Sequence, residues 1–159
     1  MGKVLSSFLN GSSGAVSRSV DDIVIALPNR EASSSIAFGA PVFLSSDKTG
    51  AVNVTADSES TDFIGFAVRS ASKTPDTYGS NAGSYAPGEM MDILTRGTVV
   101  AKVDAQGAPA KGTAVHVIPA TGRLTGVSTD NIALPNCYFR GPMDRMACAE
   151  VVLTKRNIL

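Results

Sequence analysis

Short apolar runs recur along the chain, with turn residues between them. Each run is rich in Val, Ile, Phe or Thr and is bounded by Gly, Pro, Asn, Asp or Ser, a pattern typical of short β-strands joined by turns. The runs predict about ten strands, at 19–27, 41–44, 51–54, 63–70, 90–95, 98–104, 113–118, 123–125, 137–140 and 146–154. Because so many short strands need two sheets or a barrel, the predicted fold is all-β, a small β-barrel or β-sandwich-like domain.

Alternation within the runs predicts which side chains face the core. Val115 and Val117 share one face of their strand, so His116 is expected to point away from the core. In the strand at 63–70 the predicted inward set is Ile64, Phe66 and Val68. The pair at 96–97, an arginine and a glycine, is expected to end one strand and begin the next.

The first 18 residues differ from the rest and predict an N-terminal arm. Four apolar residues precede Asn10-Gly11 at helical spacing, which indicates one or two amphipathic turns with a glycine stop: Val4, Leu5, Phe8 and Leu9. So short a helix is marginal in water and needs a surface to lie on. The Gly- and Ser-rich composition of residues 10–17 predicts a flexible joint. We therefore expect an arm at 1–18 that reaches out to another subunit, and a single domain at 19–159; a frayed terminus is the alternative.

A long loop at 71–87 is the second departure from the strand pattern. Loops of this length in compact domains are usually functional or disordered. Tyr78 and Tyr85 lie in this loop, and together with Arg18 they join the four apolar arm residues as candidate contact residues.

Composition limits the possible partners. Charged residues make up 18% of the chain, below the roughly 25% of an ordinary soluble domain, so part of the surface is expected to be covered by a partner. Fourteen basic and fourteen acidic residues balance, which predicts no nucleic-acid binding because phosphate recognition needs a positive field. No apolar run nears the roughly 20 residues of a membrane span, and no signal-peptide core is present, so neither a membrane partner nor export is expected.

No group of residues has the spacing of a catalytic or metal site. His116 is the single histidine available for a catalytic triad, and with Cys137 and Cys148 it would supply three metal ligands at most, in no recognised spacing. The chain is therefore expected to be no enzyme and to hold no metal or cofactor. If residues 141–144 form a hairpin loop, the two cysteines would lie opposite each other; a disulfide is then permitted, but a reducing cytosol favours two buried thiols.

The order of the strand and turn segments resembles the structural cement, or head decoration, proteins of tailed bacteriophages, from about Val20 to Leu153. No single segment is specific, and the order and spacing carry the resemblance. The segments are IAFGAPV at 36–42, DFIGFAVR at 62–69, YAPGE at 85–89, LTRGTV at 94–99, APAKGTAV at 108–115, ATGRL at 120–124 and ACAEVVL at 147–153.

The resemblance implies a small β-barrel-like body on the exterior of the virion capsid that bridges capsomers without chemistry. Its partners would be the major capsid protein and neighbouring copies. Contacts cannot be carried over to the arm or the long loop, where members of the family vary. Two other functions stay open: a β-rich tail or fibre component, and a small-molecule-binding barrel with a pocket near Tyr78, Tyr85 and Tyr138. If the cement function holds, deleting residues 1–18 should leave the β domain folded but weaken capsid attachment.

Overall fold

The computed structural model describes residues 10–17, 21–70, 83–107 and 109–157. The described residues form eleven strands and two 3₁₀ turns, at Ser60–Asp62 and Ala105–Gly107, so the prediction of an all-β fold is confirmed. The strands are β1 (Ile23–Pro28), β2 (Ile36–Ala37), β3 (Pro41–Leu44), β4 (Ala51–Val52), β5 (Phe63–Ala67), β6 (Ser84–Tyr85), β7 (Met90–Lys102), β8 (Ala114–Val117), β9 (Leu124–Thr125), β10 (Ile132–Phe139) and β11 (Cys148–Leu153). Within these ranges, no helix is long and apolar enough to cross a membrane.

Nine of the strands form one antiparallel sheet that curls into a half-barrel. Its order is β4-β3-β5-β7-β11-β10-β8-β9, with β1 also paired to β7, while β2 and β6 form a separate two-stranded ribbon. Strand β7 is the centre of this arrangement. Its first half pairs with β1 and β5, and its second half pairs with β11.

Strand β7 runs through Gly97, where the sequence predicts a break, but it bends. Gly39 N donates a hydrogen bond to Ala67 O, and Ala67 pairs with Ile93 in the first half of β7. A Cβ on Gly39 would also lie 2.9 Å from the carbonyl oxygen of Val100, in the second half. A straight strand would separate residues 93 and 100 by roughly 23 Å, so β7 must bend between them. Gly97, with φ of 129°, supplies backbone freedom for that bend.

The buried side chains form two clusters because β5 is covered on both faces. The larger cluster lies inside the curl, and the smaller one lies where the β2–β6 ribbon covers β5 and β7. Phe66 and Val68 belong to the larger cluster, as predicted, but Ile64 belongs to the smaller one. Phe63 is also buried in the larger cluster, because the β3–β5 register shifts beside it and so breaks the simple alternation.

Strand β8 follows its predicted alternation, whereas the first half of β10 was missed. Val115 and Val117 are buried, and His116 is partly exposed on the other face. Strand β10 contains Pro135 and Asn136, which has φ of 62°, and its pairing with β8 shifts register there. Both residues argue against a regular strand in sequence, and an irregularity in the ladder accommodates them.

Candidate functional site

Residues 10–17, which we call the N-terminal strap, pair with β7 and do not form the flexible joint that their composition predicts. Gly14 N donates to Val100 O at 2.8 Å, Val100 N donates to Ala15 O at 2.9 Å, and Ser17 N donates to Thr98 O at 3.0 Å. The strap thereby adds a short antiparallel segment to the second half of β7. The expected boundary between an arm at 1–18 and a domain starting at 19 does not describe these residues, because they belong to the body.

Glycine in the strap allows close packing. A Cβ on Gly14, which has φ of 80°, would lie 2.7 Å from the Cβ of Phe38 and 2.9 Å from Gly39 N. Ser13 Oγ donates to Phe38 O at 2.7 Å, and Arg69 N donates to Gly14 O at 2.8 Å. The absence of a side chain at position 14 therefore lets three chain segments meet backbone to backbone.

The strap begins at a partly buried hydrogen-bonded pair that we call the Asn10–Asp144 clasp. Asp144 is 7% exposed, and its Oδ2 accepts a hydrogen bond from Asn10 N at 2.8 Å. Its Oδ1 accepts from Met146 N at 2.8 Å and from Cys148 N at 3.0 Å. The Asn10 side chain donates in turn to Cys148 O at 2.8 Å and Pro142 O at 3.2 Å. The clasp fixes the point at which residues 1–9 join the body.

The strap and its clasp lie against the outer face of β7 and β11. Ala149 and Val151 of β11 belong to the core cluster, so by alternation Cys148 faces the other side, yet it is only 2% exposed. Val100 is fully buried without belonging to either core cluster, and a Cβ on Gly11 would lie 3.4 Å from its Cγ2. The strap therefore helps to shield outward-facing apolar side chains from water.

The two cysteines are not cross-strand partners. The β10–β11 register pairs Cys137 with Leu153, because the hairpin loop is longer than the 141–144 loop that the sequence suggested. A five-residue offset corresponds to roughly 17 Å along a strand, beyond the Cα separation that a disulfide spans. Both thiols are free and buried, and burial is the main cause that raises the pKa of each.

Two adjacent grooves lie on the outer surface of β7, β10 and β11. The larger, of about 400 Å³, is lined by Arg96, Arg140 and Val152 among others. The second, of about 270 Å³, shares Arg140 and Val152 and adds Tyr138 and Lys111. Tyr138 is 39% exposed. Asp21 and Asp22 also line the larger groove, and Arg96 forms an ion pair with Asp21, so acids accompany the two arginines there.

Of the predicted contact residues, the structure describes Tyr85 alone, and it buries that side chain. Tyr85 is 2% exposed, its ring packs edge-on against Phe38 at a centroid distance of 5.3 Å, and its hydroxyl donates to Val68 O at 2.8 Å. Tyr85 therefore offers almost no side-chain surface to a partner, and it is not among the residues that line the groove at Tyr138. The other contact candidates lie outside the described residues: Val4, Leu5, Phe8, Leu9, Arg18 and Tyr78.

The described side chains form no cluster with the composition of a metal site. In the four described ranges, no group of three or more His, Cys, Asp or Glu residues is placed to hold a metal ion. His116 Nδ1 is buried and has no hydrogen-bond partner among those residues.

The feature that sequence reasoning missed is the clasp, whose two residues are 134 positions apart and carry no local signal of contact.

Comparison with known proteins agrees with a structural role. A family model described as structural cement protein (E217 gp24/Pam3 gp6) matches residues 6–154. Among curated proteins, no sequence matches this chain. A solved chain from the capsid of Myoviridae phage XM1 has the same fold, with a TM-score of 0.76 and 17% identity over 97% of this chain and 96% of that chain. Since the family model spans nearly the whole sequence, the chain belongs to the structural cement protein family of bacteriophages.

Proposed function

We propose that the protein binds the outer surface of an assembled tailed-phage head and holds adjacent capsomers together. The observation that carries this proposal is the family match over residues 6–154. Capsid stabilisation is the role of a structural cement protein; our proposal adds attachment to the exterior and bridging of capsomers. Catalysis has no part in this function.

The surface of the folded body is suited to attachment through a broad protein–protein interface. Large apolar side chains are exposed singly around the surface, namely Val24, Met90, Val127, Tyr138 and Met146. Stable interfaces bury on the order of 1,600 Å² in total, and repeated copies multiply a modest contact into strong attachment. A capsid offers many equivalent positions, so moderate affinity per copy is sufficient.

The N-terminal residues are proposed as the reaching part of the contact. The clasp fixes Asn10 to the body at Asp144, and residues 1–9 extend the chain by at most about 30 Å from that point. Their apolar members could anchor on the major capsid protein or on a neighbouring copy: Val4, Leu5, Phe8 and Leu9. Arg18 and Tyr78 stay candidates for the same interface.

Reconstitution on capsids that lack the protein tests this function. Purified full-length protein is added to heads assembled from the major capsid protein alone, and bound protein, thermal stability of the heads and cryo-electron microscopy density are measured. We expect saturable binding, a higher temperature of head disruption and density outside the shell between capsomers. Lack of binding, or density inside the shell, would contradict the proposal.

A further inference from the structure

The end of the body that carries the clasp also carries an exposed methionine. Met146 is 56% exposed and lies in the loop between β10 and β11, next to the Asp144 carboxylate that holds its backbone N–H. An exposed methionine is a flexible apolar group that adapts to a partner surface. Met90, 60% exposed at the start of β7, provides an equally exposed counterpart elsewhere.

Two exposed cations adjoin Met146, and a third lies beside one of them. Lys102, at the end of β7, donates through Nζ to Met146 O at 3.1 Å. Arg145 precedes Met146 and is exposed. Arg123 lines a groove together with Lys102, and it precedes Leu124, whose backbone pairs with Val103 beside that lysine.

The two acids described at this end, Asp144 and Asp104, are less exposed than these cations. Both oxygens of Asp144 accept backbone hydrogen bonds within the clasp, and Asp104, partly buried, accepts a hydrogen bond from Gln106 N. Met90 differs, because Glu89 and the exposed Asp92 flank it. The exposed charged residues described beside Met146 are therefore cations, whereas an exposed acid, Asp92, lies two residues from Met90.

The residues that precede the clasp in the sequence have a similar composition. Residues 1–9 join the body at the clasp and carry Lys3 and four apolar side chains but no acid. The composition of residues 1–9 is therefore of the same kind as that of the folded surface beside the clasp.

We propose that the surface formed by Lys102, Arg123, Arg145 and Met146, which we call the clasp-end surface, docks on a capsid subunit. Its partner would present an apolar centre rimmed by acidic side chains. This inference rests on the proposed function and adds which face of the protein meets the shell and what chemistry it recognises.

Matched pairs of substitutions in the full-length chain test the assignment on cement-free heads. Met146→Ser is compared with Met90→Ser, and Arg145→Glu with Arg156→Glu; both arginines are exposed and lie beyond opposite ends of β11. We expect each clasp-end substitution to weaken binding about tenfold or more and each control to stay within about twofold of the unmodified protein. Arg145→Glu should also reduce the salt dependence of binding. Thermal unfolding should be unchanged in all four variants.

The outcomes separate this inference from the proposed function. If the unmodified protein does not bind heads, the proposed function fails. If it binds and the controls weaken binding as much as the clasp-end variants, or none does, the function stands and the docking face is wrong. Binding of duplex DNA that Arg145→Glu abolishes would likewise overturn the assignment of an acidic protein partner.

Discussion

At the scale of single residues, the Asp47 carboxylate closes the turn between β3 and β4. Its Oδ1 accepts from Ser45 Oγ at 2.5 Å and from Thr49 N at 3.1 Å, and its Oδ2 accepts from Thr49 Oγ1 at 2.6 Å. These hydrogen bonds, that of Ser45 foremost, lower the pKa of Asp47 from 3.8 to about 2. The charged form is therefore the one that stabilises the turn.

Asp47→Asn should remove a contribution to folding stability that depends on pH. Because the folded pKa of about 2 lies below the ordinary aspartate pKa of 3.8, the contribution is complete above the higher value and is lost as pH falls through the lower one. We expect the variant to have a lower Tm at neutral pH and to converge with the unmodified protein near the folded pKa. Circular dichroism melts across this range test it, with Asp57→Asn, an exposed aspartate in the following turn, as control. A constant difference in Tm at all pH values would contradict the prediction.

Both cysteines should be reduced thiols in the native protein. Cys137 and Cys148 are free and buried, and burial raises the pKa of each, which lowers the thiolate fraction that reacts. We expect slow alkylation of the folded protein and complete alkylation of both after unfolding without reductant, measured by mass spectrometry. Protection of the pair after unfolding would indicate a disulfide and contradict the β10–β11 register.

At the scale of elements, the strap should detach when its clasp is weakened. Asn10→Ala removes the side-chain hydrogen bonds to Pro142 and Cys148, at a cost of about 1 kcal/mol each. We expect native alkylation of Cys148 to accelerate while that of Cys137, buried inside the curl, stays slow. Asn131→Ala, which removes hydrogen bonds local to its own turn, is the matched control. Equal Cys148 rates in both variants would show that the strap does not shield the thiol.

Most strands could be predicted because their signal is local. The runs at 41–44 and 63–67 are long enough for apolar content and flanking turns to define them. Strands β2 and β6 have two residues each, too few to show alternation. Gly97 suggested a strand end but permits a bend instead, and only the pairing of β7 with neighbours on both halves distinguishes the two.

The strap could not be predicted, because a Gly- and Ser-rich composition is shared by flexible linkers and by closely packed backbone. What distinguishes them here is contact with residues far along the chain: Gly14 with Phe38 and Gly39, and Asn10 with Asp144. Tyr85 illustrates the converse error. A tyrosine in a long loop suggested a contact residue, but its hydroxyl is satisfied by Val68 O inside the body.

At the scale of the whole molecule, the sequence predicted the family and its structural role better than it predicted the contact residues. The order of strand and turn segments carries the resemblance that the family match over residues 6–154 confirms. A fold depends on many weak, redundant signals, so 17% identity to the phage XM1 capsid chain is compatible with a TM-score of 0.76. An interface depends on a few exposed side chains, and the three-dimensional fold decides which side chains are exposed.

Two N-terminal deletions should separate attachment from folding. Deleting residues 1–9 leaves the strap and clasp intact, whereas deleting 1–17 removes the backbone partners of Thr98 and Val100 and uncovers Cys148. The structure thus changes the expectation for a deletion of 1–18: removal of the strap should lower the Tm, and removal of 1–9 should not. Thermal unfolding of both truncated proteins beside the full-length chain measures this difference.

Both deletions should weaken retention on heads, because both remove Val4, Leu5, Phe8 and Leu9. Burial of such side chains contributes about 1.5 to 3 kcal/mol each before the cost of ordering the chain. Since about 1.4 kcal/mol changes affinity tenfold, even a small net gain is measurable as loss of bound protein under rising salt or heat. If the 1–9 deletion lowers the Tm, these residues belong to the folded body. If it keeps both Tm and retention, these residues take no part in attachment, and a surface of the folded body holds the protein to the shell without them.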